Sequence, residues 1–293
     1  MTLITHDFQI TDADFETVRD VVYKHCGITL SDEKKALVRA RIAKQMRVGG
    51  FPTAAKYLEK VLADRDGTMF AEFINAISTN LTSFFRESEH FSFLSNTVLP
   101  ALFSEKKRKG DNRVLLWSAA CSSGEEPYTL GMTILNAIDR LGVGSTRWDI
   151  RILATDISTR MLDTARTGIY DESRLEKVPP EYRPRFFTAA PQRGTEKEYS
   201  VTQELRAMVR FRHLNLIDNW PFKGPFDFIF CRNVMIYFDK ETQQSLVEKF
   251  WNCIVPGGYL FTGHSESLTG IAHLFRNRKP SIYQKQLEGQ PLS

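Results

Sequence analysis

Residues Leu115–Leu130, LLWSAACSSGEEPYTL, decide the fold. Leu115, Leu116 and Trp117 form an apolar run that predicts a buried strand. Ser118–Gly124 are small throughout, so a ligand can approach the backbone there. Glu125, Glu126 and Pro127 supply the acidic first turn and early proline of a helix, which Tyr128–Leu141 continues. This is the shape of the first βα unit of a nucleotide-binding sheet, with altered chemistry. A phosphate site needs free N–H groups and the positive helix end facing an anion. Two carboxylates at that spot repel a pyrophosphate. They suit a ligand with hydroxyls and positive charge, such as the ribose and sulfonium of S-adenosylmethionine. The competing reading is an ordinary βα turn whose acids only match the helix dipole.

The neighbouring segments favour the nucleotide-type reading. Trp148–Ile157 (WDIRILATDI) predicts a second apolar strand, and Asp156 stands at its carboxyl end. That is where a doubly wound fold binds ribose hydroxyls. Phe226–Cys231 predicts a third strand, leading into Arg232-Asn233-Val234-Met235-Ile236-Tyr237-Phe238. Tyr259–Gly263 predicts a fourth, after the turn Pro256-Gly257-Gly258. Strands separated by helical stretches imply an α/β fold with a doubly wound, mostly parallel, Rossmann-like sheet.

Two further parts are expected. Asp7–Phe93 reads as all-helical: an amphipathic helix opens at Asp12 and Asp14 and ends near Gly27, and Ser31-Asp32-Glu33 caps a basic helix broken by Gly49-Gly50. Phe51–Leu62 and Met69–Ile77 predict two more helices. The boundary is placed near residue 95, giving a helical domain with its linker over 1–95 and a sheet domain over 96–293. Between Gly168 and Asn215, prolines interrupt helix and Arg193-Gly194-Thr195 reads as a hairpin turn. Phe186–Ala189, Glu198–Thr202 and Met208–His213 are expected to form a small antiparallel β insertion over about 170–213.

The 293 residues are 42% hydrophobic and 25% charged, an ordinary globular composition. No apolar run is long enough to span a bilayer, and no signal-peptide pattern is present. Cys26, Cys121, Cys231 and Cys253 are scattered without a CxxC pair, so neither a disulfide nor a metal site is expected. These features predict a cytoplasmic protein. A net charge of +4 is too small to establish a nucleic-acid partner.

The chain resembles a specific family. Asn80-Leu81-Thr82-Ser83-Phe84-Phe85-Arg86, Ser118–Tyr128, Phe230–Phe238 and Gly263-His264-Ser265-Glu266-Ser267 are similar to the bacterial chemotaxis receptor glutamate methyltransferases of the CheR type. The likeness covers nearly the whole chain in the family's order of parts. It implies S-adenosylmethionine as cofactor, S-adenosylhomocysteine as product, and methyl esters on glutamates of the cytoplasmic helical region of chemoreceptors. It also implies cofactor contacts from Asn80, Thr82, Arg86, Glu126, Asp156, Asn215, Leu216, Arg232 and Asn233. Residue chemistry agrees in part: Arg86 can fork onto the methionine carboxylate, Asp156 can accept from ribose hydroxyls, and the Asn215 amide can meet the adenine edge. A surface pair of Arg86 with Glu87 or Glu89 is the plainer alternative.

For mechanism, Tyr237 and Arg86 are the catalytic candidates, with Tyr237 or the Arg232-Asn233 backbone as neutral donors near the reacting oxygen. Arg39, Arg41, Lys44 and Arg47 on the basic helix are candidates for receptor docking, and the insertion for docking a receptor tail peptide. A monomer that neither binds nucleic acid nor inserts in a membrane is expected. A nucleic-acid methyltransferase on the same fold is the alternative, but the Asn/Asp-Pro-Pro-aromatic tetrapeptide of amine methylation is missing after the third strand. The other alternative is a non-catalytic adaptor that binds the cofactor or receptors without turnover.

Overall fold

The computed structural model describes residues 10–64, 67–144, 148–191, 196–268 and 275–286. The hairpin expected at Arg193-Gly194-Thr195 lies outside them. Helices α1 (Asp12–Cys26), α2 (Lys35–Gly49), α3 (Ala54–Ala63) and α4 (Thr68–Ile77) form the N-terminal part around their own core, which includes Phe15, Val18, Ile42 and Phe73. Thr11 caps α1 in a reciprocal capping box with Asp14. Ser31 makes no side-chain cap; the segment Asp32–Lys34 instead forms a 3-10 turn that leads into α2.

The sheet contains β1 (Arg113–Ala119), β2 (Asp149–Asp156), β6 (Val209–His213), β7 (Phe226–Cys231), β8 (Ile254–Phe261), β9 (Phe275–Lys279) and β10 (Ile282–Lys285). Their order is β6-β2-β1-β7-β8-β10-β9. The five strands from β6 to β8 run parallel, and β10 and β9 add antiparallel. The chain winds one way from β1 to β2 and the other way from β1 to β7, so a crevice opens at their carboxyl ends.

Along β1 the side chains alternate between two cores. Val114 and Leu116 pack with helices α5 (Ser88–Phe93), α6 (Leu99–Lys109) and α7 (Glu125–Leu141). Trp117 and Ala119 pack with Phe250 of α11 (Lys240–Cys253) on the other face. A strand's period of two, with helices on both sides, explains the apolar runs read from the sequence.

Three details differ from the sequence reading. The helical run Ser88–Lys109, with a π turn at Leu94–Val98, lies on the sheet and contributes Phe91, Leu94 and Phe103 to its core. A boundary at residue 95 therefore cuts a continuous element. Met208–His213 supplies not an insertion strand but β6, the parallel edge of the main sheet beside β2. The small antiparallel sheet is instead β3 (Ile169–Asp171), β5 (Glu198–Val201) and β4 (Phe187–Ala189), in that order. Finally, Pro256-Gly257-Gly258 is taken up inside β8 as an irregularity: Phe226 pairs with Ile254, but Phe228 pairs with Tyr259.

The charge run at the end of α6 is not wholly a solvated face. Lys106 lies 2.9 Å from the buried carboxylate of Asp227, whose other oxygen accepts the Leu115 N–H at 2.8 Å. Removing one partner of such a pair leaves a buried charge uncompensated. Lys106→Ala should lower stability by about 3 kcal/mol in urea unfolding, at the low end for a broken buried pair. Lys107→Ala, one residue on and exposed, should stay within about 0.5 kcal/mol. Equal effects of the two would remove the special role of Lys106.

Candidate active site

A single cleft at the crevice is lined by Asn80, Thr82, Arg86, Glu126, Asp156, Asn215, Leu216, Arg232, Asn233 and Tyr237. The linker after α4, the turn after β1, the end of β2, the segment after β6 and the turn after β7 all meet there. From the N-terminal part, Lys34, Leu37, Val38 and Arg41 complete the wall. Among the described residues, Arg39, Lys44 and Arg47 are not part of that lining.

Phe85, Glu87, Ala120, Ser122 and Asn233 all have left-handed backbone, with φ between 49° and 60°. Such conformations cost a non-glycine residue about 1–3 kcal/mol each and collect where ligands are held. Gly124, at φ 97°, has no alternative: an added Cβ would lie 2.8 Å from Ala165 Cβ and 2.9 Å from Tyr170 Oη. The loop of small residues thus has a glycine only where a side chain cannot fit.

Asp156 is buried and braces this loop. Its Oδ2 accepts the Ser122 N–H at 2.7 Å and its Oδ1 the Ser158 N–H at 2.8 Å. Burial pushes its pKa up, against those hydrogen bonds. With about four acceptor sites on a carboxylate, lone pairs remain for a hydroxyl beside the Ser122, Ser158 and Ile157 N–H groups. Glu126 accepts from Ser118 Oγ at 2.7 Å and from Arg232 at 3.0 Å. Burial also pushes its pKa up, opposed chiefly by Arg232.

Arg232 is almost wholly buried under the cleft, over the rings of Phe91 and Phe230. It bridges Glu126 to Glu87, at 2.9 Å, and donates to the Arg86 carbonyl. Its role is thus to hold the floor together. Glu87 also accepts from Asn233 Nδ2 at 3.1 Å and the His264 N–H at 3.3 Å. Burial works to raise its pKa, but these bonds and the guanidinium charge outweigh it and hold it at about 2.

Arg86 does not pair with Glu87 or Glu89 among the described residues. It donates to the Leu81 carbonyl at 2.7 Å and faces the cleft with donors to spare. The Asn215 amide is used otherwise than expected: Nδ2 donates to the His25 carbonyl at 2.6 Å and lies 3.3 Å from Asp218 Oδ1. It therefore tethers α1 to the cleft wall. The Asn233 N–H is taken by Glu266 at 2.8 Å, so of the neutral donors anticipated, this one is occupied. Tyr237 stands in the lining with Lys34 Nζ 4.3 Å above its ring.

Residues 13–78 match the family described as "CheR methyltransferase, all-alpha domain", and residues 80–283 match "CheR methyltransferase, SAM binding domain". The chain belongs to the CheR methyltransferase family. It is 38% identical over 270 residues to a probable chemotaxis protein methyltransferase of Rhizobium etli, covering 92% of this chain and 98% of that one. It is also 38% identical over 284 residues to the chemotaxis protein methyltransferases of Salmonella typhimurium and Escherichia coli. Those alignments cover 96% of this chain and 92% and 93% of theirs. This CheR-family chain is thus an S-adenosylmethionine-dependent methyltransferase.

The cleft fits that cofactor chemically. Asp156 retains acceptors for hydroxyls, Glu126 is a carboxylate for the cationic side, and Arg86 offers donors for a carboxylate. All four cysteines are buried, and burial raises the Cys121 and Cys231 thiols far above the range of a nucleophile. The fold does assemble one set the sequence spacing hid: ligand atoms of Glu87, His90 and His264 lie within 4.8 Å of one another. The Arg232 guanidinium on Glu87 opposes a second cation there, so no metal role is assigned. Glu87, Glu266 and Lys34 are the site residues that sequence reasoning missed. Each was in view, as a rival partner for Arg86, within the GHSES motif and in the basic stretch, without a signal of its contacts.

Two outcomes follow. Asp156→Ala should weaken S-adenosylhomocysteine binding roughly 10- to 100-fold, the equivalent of a lost charge-assisted bond. Unchanged affinity in a folded variant, measured by calorimetry, would refute the assignment. Glu87 has a folded pKa near 2 against an ordinary 4.5. The unfolded chain therefore binds its proton first, so Glu87 stabilises the fold above pH 4.5 and loses that effect as pH falls towards 2. The stability difference between wild type and Glu87→Gln should shrink across that window and stay flat above it. A pH-independent difference in urea titrations would contradict the pairing.

Proposed function

We propose that this enzyme forms methyl esters on glutamate side chains of chemoreceptors. The reading rests above all on one cleft that joins Arg86, Glu126, Asp156 and Tyr237 under a wall from the basic helix. S-adenosylmethionine, when bound, supplies an electrophilic methyl on a good leaving group. A glutamate acceptor is already ionised at neutral pH, with an ordinary pKa near ~4.3. The site therefore needs no base, and orientation is the main contribution, roughly 7–11 kcal/mol at its upper end.

Methyl transfer joins opposite charges into neutral products. A strong ion pair to the accepting carboxylate would stabilise the starting state more than the transition state. A neutral donor suits it better, and the Tyr237 hydroxyl is assigned that role. Arg86 is assigned to the cofactor carboxylate, consistent with its free donors facing the cleft. Asn80, Thr82, Leu216 and Asn233 are assigned to the remaining cofactor wall.

Docking is assigned to the outer part of α2. Arg39 pairs with Asp12, and Arg41 donates to the Ile77 and Ser78 carbonyls at 2.7 and 3.1 Å. Arg41 lines the wall and Arg39 stands outside it; Lys44 and Arg47 are taken as the leading docking candidates for their exposure. A receptor tail peptide would add to an edge of the small sheet, at β3 or β4, and raise the local concentration of methylation sites. On this reading the enzyme works in the cytoplasm, as a monomer.

The deciding experiment is methyl transfer to a receptor cytoplasmic fragment, with nucleic acid as comparison. Base-labile methyl groups released as methanol are expected from the receptor fragment. Stable methylation of nucleic acid instead would overturn the reading. Reversing Lys44 and Arg47 to glutamate should lower kcat/KM on receptor on the order of 10-fold and make the residual rate less salt-sensitive. S-adenosylhomocysteine affinity should not change. A wild-type rate at low salt would exclude this face as the docking surface.

A further inference from the structure

The turn that carries Asn233 and Tyr237 makes two backbone hydrogen bonds of its own, from the Tyr237 N–H to Val234 at 3.1 Å and from the Phe238 N–H to Met235 at 3.0 Å, and is otherwise held from outside. Asn233 is left-handed, and the 3-10 turn Met235–Tyr237 has no side-chain cap of its own. Its carbonyls are held by neighbours: Gln243 Nε2 donates to Met235 at 2.9 Å and Phe238 at 3.0 Å, and the Thr29 N–H donates to Tyr237 at 2.7 Å. Its Asn233 and Ile236 N–H groups, together with the Gly263 N–H of a second loop, converge on one carboxylate. Glu266, only 5% exposed, accepts from Gly263 at 2.6 Å and Asn233 at 2.8 Å on Oε2, and from Ile236 at 3.2 Å on Oε1. Gly263 is packed against the same turn: an added Cβ would lie 2.5 Å from Asn233 Nδ2.

We propose that Glu266 is a positioning residue for methyl transfer, because its carboxylate holds the Asn233 and Ile236 N–H groups of this turn against the Gly263 loop and so sets where the adjoining Tyr237 and the Asn233 amide stand in the cleft. A buried carboxylate that satisfies backbone donors from two separate loops fixes both at once. Neither oxygen faces a substrate directly; the effect is transmitted through Tyr237 and Asn233. The inference rests on the role given to Tyr237 above.

Glu266→Gln tests it, because an amide presents N–H groups to backbone N–H donors whichever way it turns. In methyl transfer to a receptor fragment, kcat should fall at least 10-fold, a larger factor than any loss of S-adenosylhomocysteine affinity that a shifted Asn233 brings. A merely structural loss would lower the folded fraction without separating kcat from donor binding. On a Tyr237→Phe background, Glu266→Gln should cost less than 3-fold further, since the positioned group is already gone. Multiplying losses would overturn the proposal, as would a kcat within twofold of wild type.

If Tyr237→Phe by itself leaves kcat unchanged, the role of Tyr237 fails separately. Glu266 is then judged against Asn233→Ala: non-additive losses sustain the proposal, and multiplying losses overturn it. Should Glu266→Gln not fold, Gly263→Ala disturbs the same junction, its added Cβ falling 2.5 Å from Asn233 Nδ2 and 2.9 Å from Glu266 Oε2, and the same non-additivity with Tyr237→Phe is required.

Discussion

The site depends on a buried guanidinium. Arg232 sits under the cleft with 2% of its side chain exposed, between Glu87 and Glu126 and over two aromatic rings. A charge in that position is tolerable only while its partners stay in place, since losing one typically costs about 3–5 kcal/mol. Glu87 lies 145 residues away in sequence and Glu126 lies 106 away. The electrostatic demand of one arginine therefore fixes the linker, the first βα turn and the end of β7 relative to one another. The strained backbone at Glu87 and Asn233 is held by the same contacts.

A second constraint comes from the N-terminal part. Asn75 bonds Ser158 and Thr159 at 2.7 and 3.2 Å, Tyr23 bonds Asp239 at 2.6 Å, and Ile28 bridges Phe238. These contacts make the basic helix one wall of the cleft. Lys34 over Tyr237 and Arg41 on the Ile77 and Ser78 carbonyls show how charge on α2 and the turn before it is divided. Arg41 lines the site, and Lys44 and Arg47 are exposed outside its lining.

The small sheet is also tied to the cofactor loop. Tyr170 of β3 donates to the Ser123 carbonyl at 2.7 Å, and Arg174 lies 3.2 Å from Glu125. Phe84 of the linker packs edge-on against Tyr170 and Phe187. The insertion is therefore packed into the loop it borders, and substitutions in its inner face are expected to be felt in the cleft as well as at its edge.

Local chemistry made much of this legible in the chain. Apolar runs at β1, β2 and β7, acids at Glu125, Glu126 and Asp156, and capping and glycine signals in the first helices depend on neighbours a few residues away. They gave the fold class and pointed to the cofactor type, while most of the residues named for the cleft came from the family resemblance. Pairings over long sequence distances were not legible. Nothing near Met208–His213 says that it adds to β2 rather than to the insertion, because both sheets take short alternating strands. Nothing near Asn215 says that its amide meets His25, and nothing near Glu266 says that three backbone N–H groups converge on it. A side chain's type records what it can bond. Which partner it meets depends on how the sheet order and the linker bring distant segments together, and only the tertiary structure decides that.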